Sequence, residues 1–562
     1  MKSKRLICAI IACAMAISVL TGCNSNNSTD GEKEFIKPAY VETKYGWLYG
    51  YKQDHTYIYK GIQYGLVEKR FHKAVEPEPW EGIRSALTYR ETCPNTSHTV
   101  SVSSFVDNVS SDMVQNEQCL YLNVWTQSQD KNAKKPVIFF LHGGGFSSGA
   151  SNELAAYDGK NLSEYGDIVF VNANHRLNYL GYTDLSAYGE EYEISGDVGM
   201  QDIVMALQWV RDNIENFGGD PSNVTLVGQS GGAVKVELLM QIPEAKDLFE
   251  RAMMCSGLSI IPVGTDSETA QKSGITLVEK CKEAYGLTSD AQALEKLETM
   301  PYEQLALLAD EAGVSGNPTV GGSYIPEVYQ SDTGIWPEIA RDKPLIVSNT
   351  FGELAGNDGI MVMPIVIDMM AGQSFNPDKP EEFLADYYKP DLTREDMTQL
   401  VKERYGSHAD TIMEQFAYAY PSRDVVDVLS VNADRQASTN MCIDKARQEG
   451  AAVYNCVFAY EYPIMGGIVN YHTGGDLPFL FYNLSTREYM IQGDEKNAYK
   501  VAGEAATALI RFAYTGDPGS DQLKWPEFTV ENGETMIFDN VSEVINYPDQ
   551  ELLKTINEAR EN

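Results

Sequence analysis

The chain has 562 residues, of which 43% are hydrophobic and 10% aromatic, a composition that can bury a large core and excludes an intrinsically disordered protein. Its formal net charge of −36 at pH 7 repels phosphates and anionic lipids, which argues against nucleic-acid binding and against electrostatic attachment to a membrane. No linker-like or low-complexity stretch interrupts the chain after residue 38, so we expect one large domain over residues 39–562.

The N-terminal residues carry the pattern of an export signal. Residues 1–22 combine the basic MKSKR with an apolar run that is too short to span a membrane comfortably. The end of this segment, LTGC, resembles a bacterial lipobox, in which Cys23 would be lipidated and become the mature N-terminus. Residues 23–38 are mostly small and polar and predict a flexible tether. We therefore expect a protein of the cell envelope, anchored by lipid alone to the outer face of a bacterial membrane; the alternatives are an ordinary secretory signal or a retained N-terminal anchor.

Strand-like and helix-like segments alternate along the rest of the chain. Continuous runs rich in Val, Ile and Phe predict buried strands at residues 136–142, 167–176, 223–229, 344–350 and 454–462. Residues 199–217 predict a helix, because their apolar positions recur at helical spacing. Buried strands separated by helices are typical of an α/β fold with a central, mostly parallel sheet covered by helices on both faces.

One predicted strand leads directly into a serine, in the sequence NVTLVGQSGGA from Asn223 to Ala233. Ser230 is expected on the turn from this strand to the following helix, at the carboxyl edge of the sheet, where α/β folds place their sites. Gly228 and Gly232 fit a turn that leaves no room for Cβ atoms. GxSxG alone often matches by chance, but the flanking strand and helix favour a nucleophile.

A nucleophilic serine needs a base to take its proton. In the order Ser, acid, His that such folds use, only His408 and His472 of the seven histidines follow late enough. His408 lies in a charged, helical-looking segment that is typical of a solvated surface. His472 follows the predicted strand at 454–462 in a glycine-containing loop, which favours it as the base.

The acid that orients the base has three candidates. Glu353 follows the predicted strand at 344–350, again at a strand's carboxyl end. Asp358 lies further into the same loop, and Asp476 lies close to His472. Position at the strand end favours Glu353 and leaves the other two open.

A second glycine-rich loop follows the predicted strand at 136–142. Its sequence HGGGF, from His142 to Phe146, lets backbone N–H groups point at a carbonyl oxygen without interference from side chains. Such a loop could instead hold a phosphate, but GxGxxG and GxxxxGK[ST] are absent here. HGGGF and GxSxG on one chain together predict acyl transfer.

These motifs resemble those of the type-B carboxylesterase family, which includes carboxylesterases, cholinesterases and the non-catalytic neuroligins. FGGDPSNVTLVGQSGG, from Phe217 to Gly232, matches the serine-site pattern of that family, and EQCLYLNVW, from Glu117 to Trp125, resembles its second signature. The likeness covers most of the chain and implies an α/β-hydrolase fold with large insertions.

The resemblance also implies roles for particular residues. The implied triad is Ser230 as nucleophile, Glu353 as acid and His472 as base, and the implied oxyanion donors are the backbone N–H groups of Gly144, Gly145 and Gly231. It further implies a disulfide between Cys93 and Cys119, for which two buried thiols are the alternative. No metal and no cofactor is expected.

Some residues depart from the family pattern. Gln229 stands before the serine where the family usually has Glu, and the loop between the two implied disulfide cysteines has Phe105 but no tryptophan. Both changes weaken the case for a quaternary-ammonium substrate. Asp476 lies four positions after His472, whereas the family's acidic residue usually follows its histidine by three.

The sequence therefore predicts a serine carboxylic-ester hydrolase that acts on small to medium esters through an acyl-enzyme. Two other classes stay open: a catalytically silent surface-binding protein of the same fold, and a lipoprotein that binds solutes.

Overall fold

The computed structural model describes residues 36–95, 113–257, 263–326, 328–329, 333–353, 392–463 and 474–560. Its strands, numbered in chain order, are β1 Lys37–Thr43, β2 Gly46–Gln53, β3 Thr56–Gln63, β4 Ile83–Ser85, β5 Tyr121–Thr126, β6 Lys135–Leu141, β7 Val169–Ala173, β8 Gly219–Gln229, β9 Arg251–Cys255, β10 Thr265–Asp266, β11 Thr319–Val320, β12 Leu345–Thr350, β13 Val453–Phe458, β14 Glu534–Phe538 and β15 Glu543–Asn546.

Thirteen of these strands form one sheet in the order β1-β2-β3-β5-β7-β6-β8-β9-β12-β13-β14-β15, with β4 paired to β2. The pairs from β7 through β14 are parallel, whereas β1, β2, β3, β5 and β7 pair antiparallel at one end and β14 pairs antiparallel with β15 at the other. Strands β10 and β11 form a separate parallel pair. The predicted central, mostly parallel sheet is confirmed.

All five predicted strands lie in the parallel part of the sheet, as β6, β7, β8, β12 and β13. Strand β7 is shorter than residues 167–176, because Asp167 ends the preceding helix with a left-handed backbone, φ 52°. Strands β1 to β3 were not predicted. In β1, for example, buried and exposed residues alternate, so it lacks the continuous apolar run of a doubly covered strand.

The helices of the described residues, also numbered in chain order, are α1 Lys160–Gly166, α2 Asn178–Gly181, α3 Val198–Asn213, α4 Gly231–Leu239, α5 Ser267–Tyr285, α6 Asp290–Thr299, α7 Tyr302–Ala312, α8 Glu338–Arg341, α9 Arg394–Tyr405, α10 Ala409–Ala419, α11 Arg435–Ala446, α12 Leu477–Leu480, α13 Glu495–Thr515 and α14 Gln550–Arg560. The helix predicted over 199–217 is α3, which continues as a 3₁₀ turn over Ile214–Phe217. None of these helices combines the length and the apolar character needed to cross a membrane.

Two hydrophobic cores cover the two faces of the sheet. Every residue of β6 is buried, and alternate residues enter opposite cores: Phe139 joins the core that contains α3 to α7, and Phe140 joins the core that contains α1, α12 and α13. A third core lies among α9, α10 and α14. The parallel part of the sheet is therefore covered on both faces, as predicted, and its side chains reach solvent mainly where strands end.

The parallel strands bring the loops after β6, β8, β12 and β13 to one edge of the sheet. These loops begin at His142, Ser230, Phe351 and Ala459. The predicted site residues are therefore distant in sequence but start from neighbouring strand ends.

Candidate active site

Ser230 occupies the turn between β8 and α4 in a backbone conformation that side-chain-bearing residues rarely adopt. Its φ and ψ are 53° and −122°, and its N–H donates to the carbonyl oxygen of Cys255 at 2.8 Å. A residue held in such a region typically stores about 1–3 kcal/mol of strain. Ser230 is partly exposed, whereas residues 224–229 and 231–239 are buried. The turn therefore presents the serine, and little else, at the edge of the sheet.

The two motif glycines permit this turn because their neighbours leave no space for a side chain. A Cβ on Gly228 would lie 2.1 Å from the carbonyl oxygen of Gly232, and a Cβ on Gly232 would lie 2.1 Å from the carbonyl oxygen of Leu141. The start of α4 therefore packs directly on the backbone at the ends of β6 and β8.

The glycine loop after β6 lies against Ser230. A Cβ built on Gly143 would lie 3.4 Å from the Cβ of Ser230, and one built on Gly231 would lie 2.5 Å from the nitrogen of Gly145. Gly144 and Gly145 have φ values of 88° and 64°, which glycine adopts readily. Neither of their N–H groups donates to another described residue. Two free backbone donors thus lie beside the serine, which is the chemistry of an oxyanion hole.

Glu353 lies three residues after β12, buried, with its loop held by the backbone. The Oε1 atom of Glu353 accepts a hydrogen bond from the N–H of Thr350 at 2.7 Å, and the N–H of Phe351 donates to Phe458 at 2.9 Å. These bonds fix the carboxylate at the ends of β12 and β13, the strand that leads toward His472.

Asp476, the rival acid, is also buried and precedes α12. Burial first, and the charge of Glu353 second, raise the pKa of Asp476 to about 7. Neither carboxylate oxygen of Asp476 has a hydrogen-bond partner among the described residues. Two carboxyl groups therefore lie close enough to repel each other. His472, the predicted base, lies outside the described residues, as do Asp358 and Phe105.

The side chain of Gln229 lies between the glycine loop and the segment just after His472. A Cβ on Gly143 would be 2.6 Å from the Oε1 atom of Gln229, and a Cβ on Gly474 would be 3.6 Å from its Cδ atom. Gln229 is 5% exposed. The structure therefore brings residue 474 next to the loop that was predicted to bind the oxyanion.

Lys235, His142 and His175 form a buried group next to the glycine loop that was not predicted from the sequence. The Nζ atom of Lys235, on α4, donates to the carbonyl oxygen of Gly145 at 2.6 Å. His142 and His175 stack with ring centroids 4.9 Å apart, and both are buried. Burial, followed by the nearby Lys235, lowers the pKa of His142 to about 3 and that of His175 well below its usual value, so both rings are neutral. The sequence contains a signal for this burial, because Lys235 is the one charged residue among the apolar residues of AVKV.

The structure holds Cys93 and Cys119 as buried free thiols and not as the expected disulfide. The two side chains nevertheless interact, and hydrogen bonding to Cys93, with burial, raises the pKa of Cys119. The Sγ atom of Cys93 also accepts the N–H of Leu177 at 3.2 Å. The disulfide therefore stays a prediction. Within the described ranges, His, Cys, Asp and Glu form no group of three or more that could hold a metal ion.

Comparison with known proteins identifies the family of the chain. The family model described as "Carboxylesterase family" matches residues 37–554. The para-nitrobenzyl esterase of Bacillus subtilis (strain 168) is 28% identical over 91% of this chain and 97% of its own length, and the phenmedipham hydrolase of Pseudarthrobacter oxydans is 28% identical over 88% and 94%.

Solved structures extend the likeness to the fold. An esterase from Clostridium hathewayi superimposes with a TM-score of 0.81 and 34% identity, covering 93% of this chain and all of that one. A carboxylesterase from Geobacillus stearothermophilus gives a TM-score of 0.68 and 28% identity, covering 92% and 99%. The predicted α/β-hydrolase fold is confirmed. The chain belongs to the carboxylesterase family and is a carboxylic ester hydrolase.

Proposed function

We propose that this chain hydrolyses small to medium carboxylic esters through an acyl-enzyme on Ser230, with His472 as base and Glu353 as acid. The observation that carries the proposal is the strained backbone of Ser230, φ 53°, at a strand-to-helix turn beside two free N–H groups. The buried carboxylate of Glu353, at the end of a nearby parallel strand, supports the assignment of the acid.

In the first step, His472 takes the hydroxyl proton of Ser230 as the oxygen attacks the ester carbonyl carbon. Negative charge moves to the carbonyl oxygen, where the N–H groups of Gly144, Gly145 and Gly231 stabilise it. The carboxylate of Glu353 stabilises the imidazolium of His472. The tetrahedral intermediate then collapses, the bond to the alcohol oxygen breaks, and His472 returns the proton to the leaving alcohol.

In the second step, water hydrolyses the acyl-enzyme. His472 takes a proton from the water as its oxygen attacks the acyl carbon, and the same N–H groups hold the second oxyanion. Collapse releases the carboxylic acid and restores the hydroxyl of Ser230. Every proton is taken and returned by one histidine, so this scheme needs no cofactor.

The test is hydrolysis of p-nitrophenyl acetate, butyrate and octanoate by protein that starts at Asn24. Ser230→Ala is expected to lower kcat by at least ~10⁴-fold, because a triad without its nucleophile retains only binding and oxyanion stabilisation. The matched control is Ser256→Ala, since Ser256 shares a positive φ, 56°, after the adjacent strand β9. That variant is expected to keep the activity.

The outcomes separate the candidate classes. Equal inactivity of folded wild-type and Ser230→Ala protein would contradict the proposal and favour a surface-binding or solute-binding protein. Turnover that survives Ser230→Ala would place the nucleophile elsewhere.

The preference among the three esters measures the acyl pocket. The Clostridium hathewayi relative can hydrolyse aliphatic aromatic polyesters. We therefore include a soluble aliphatic–aromatic ester oligomer as a fourth substrate. Hydrolysis of this oligomer that depends on Ser230 would extend the proposed substrate class to polyesters.

We also propose that Cys23 is lipidated and anchors the chain to the outer face of a bacterial membrane, in the cell envelope. The support is the signal-like residues 1–22, with their LTGC end, and the polar tether that follows. The full-length chain, expressed in a bacterium fed an alkyne fatty acid, is expected to be labelled and to sediment with membranes. Cys23→Ser should abolish both, whereas the matched Cys13→Ser should change neither; labelling that persists in Cys23→Ser would contradict the proposal.

A further inference from the structure

Helix α4 carries a lysine that is completely buried. Lys235 lies five residues after Ser230, is 0% exposed, and forms no ion pair with any described residue. Burying an ammonium group without a counter-ion is costly. Burial alone accordingly lowers the pKa of Lys235 to about 7. A residue retained at such a cost in a core position calls for a role other than packing.

Lys235 contacts the glycine loop that follows β6. Its Nζ atom donates to the carbonyl oxygen of Gly145 at 2.6 Å and lies 5.3 Å from the ring centroid of Phe146. The loop residue His142 and the nearby His175 are both neutral, so they neither repel Lys235 nor supply the negative charge that an ammonium group needs.

Carboxylates near this part of the core do not neutralise Lys235 either. Asp202, on α3, is bound by both side-chain and backbone nitrogens of Arg176, at 2.7 to 3.0 Å. Glu237 is two positions along α4, a spacing at which side chains do not face each other. The carbonyl of Gly145 is thus the polar group that Lys235 binds.

The glycine loop needs an external support. Gly144 and Gly145 have no side chains to pack, and without Cβ atoms their backbone can adopt more conformations than that of other residues. An oxyanion hole works only when its donors are fixed before the charge develops. A hydrogen bond to the carbonyl oxygen of Gly145 fixes the residue whose N–H lies beside Gly231.

We propose that Lys235 is a positioning residue of the oxyanion hole. Its hydrogen bond holds the carbonyl group of Gly145 in place, so that the N–H group of Gly145 stays directed at the reacting oxygen. This inference rests on the proposed function. Lys235 itself does not touch the substrate. Its loss should weaken transition-state stabilisation more than ground-state binding, and so lower kcat with little change in KM.

The experiment compares Lys235→Met, which replaces the apolar part of the side chain but cannot donate, with Lys235→Gln, which is equally short and keeps an uncharged donor. The matched control is Lys445→Met, because Lys445 on α11 is also buried and donates to the carbonyl oxygens of Ala340 and Arg341, at 3.0 Å. Since loss of one oxyanion donor outright costs ~10²–10³-fold, Lys235→Met is expected to lower kcat by ~10–100-fold with KM within about twofold. Lys235→Gln should recover part of the loss, and Lys445→Met should keep kcat.

Thermal unfolding distinguishes positioning from damage to the fold. Lys235→Met should unfold at a higher temperature than the wild type at pH 6, because the buried charge is gone. A more stable but slower enzyme supports the proposal. An unchanged kcat, or an equal loss in Lys445→Met, overturns it.

A second measurement does not depend on turnover. Amide hydrogen exchange of peptides that cover residues 142–148 should be faster in Lys235→Met than in the wild type or in Lys445→Met. If the wild type hydrolyses no ester, the proposed function fails, yet this exchange still tests the hydrogen bond. Unchanged exchange in the loop overturns the positioning role.

Discussion

Helices α3 and α4 both pack on the same face of the sheet, but they differ in whether their buried ionisable side chains have an ionic partner. On α3, Asp202 is 0% exposed and is paired with the equally buried Arg176 through three hydrogen bonds. On α4, Lys235 and Glu237 are buried without an ionic partner among the described residues. Burial therefore lowers the pKa of Lys235 to about 7 and raises that of Glu237 to about 8.

This difference suggests different roles for the two helices: paired charges stabilise the structure, whereas unpaired groups occur near reactive residues. A satisfied buried pair fixes neighbouring elements in place, here the loop after β7 against α3. Uncompensated charges lower stability, and they cluster where a protein needs perturbed groups for chemistry. Helix α4 begins directly after Ser230, the proposed nucleophile, so its unpaired charges lie where this second pattern is expected.

The largest expected effect concerns the carboxyl groups beside the nucleophile. Glu353→Gln should lower kcat by ~10⁴-fold, because an amide holds the base in the wrong tautomer. Asp476→Asn should cost less than ~10-fold, since a carboxyl group whose pKa is raised to about 7 is mostly protonated at pH 6.5. The rates on p-nitrophenyl butyrate at pH 6.5 check this. The reverse ranking would make Asp476 the acid.

The second prediction uses pH to isolate the unpaired lysine. Between pH 7 and 10.5 the unfolded chain binds more protons at Lys235 than the folded chain, so this residue makes the free energy of unfolding rise with pH. Lys235→Met removes that slope. The stability advantage of the variant over the wild type should therefore shrink by ~2 kcal/mol from pH 7 to pH 9, because the slope is half of 1.36 kcal/mol per pH unit at pH 7 and approaches that value above pH 8.

Urea denaturation of both proteins at the two pH values measures this change. The ionisable groups near Lys235 do not contribute to this change between pH 7 and pH 9, because His142 and His175 stay neutral and Asp202 stays paired with Arg176. The titration of Glu237 occurs in both proteins and cancels in the difference. A constant difference would show that Lys235 has an ordinary pKa.

The third prediction, which has the smallest expected effect on kcat, breaks the satisfied pair on α3. Asp202→Asn should lower the free energy of unfolding by ~3–5 kcal/mol, because it leaves the guanidinium of Arg176 buried without its counter-ion. Among molecules that stay folded, kcat should change little. The matched control is Asp212→Asn, which removes the partly exposed partner of Lys44 at 2.8 Å and should cost at most ~1 kcal/mol. Equal losses in the two variants would mean that burial of the pair adds nothing.

The sequence predicts best where local pattern and fold require the same residues. The strands β6, β8 and β12 read as continuous apolar runs because both of their faces are covered, and Ser230 follows such a run directly. The glycines around Ser230 could be interpreted for the same reason: only a side-chain-free residue fits the space between β6 and α4.

Other features depend on contacts between residues far apart in the chain. The lysine in AVKV is visible in the sequence, but its acceptor lies 90 residues earlier, at Gly145. Likewise the proximity of Glu353 to Asp476 follows from the pairing of β12 with β13, which no local pattern specifies. At the sheet's antiparallel end, β1 and β2 were missed because they bury only alternate positions.

The order of the strands also has a consequence for how the enzyme matures. Strands β1 to β9 and the glycine loop come from the first half of the chain, whereas β12 and β13 come later and join the sheet beside β9. Domains of this size fold through intermediates, and a nascent chain emerges from its N-terminus. The proposed nucleophile, Ser230, can thus be in place while the proposed acid and base are still missing. During synthesis, esterase activity should therefore appear only after β12 and β13 have emerged and β12 has docked onto β9.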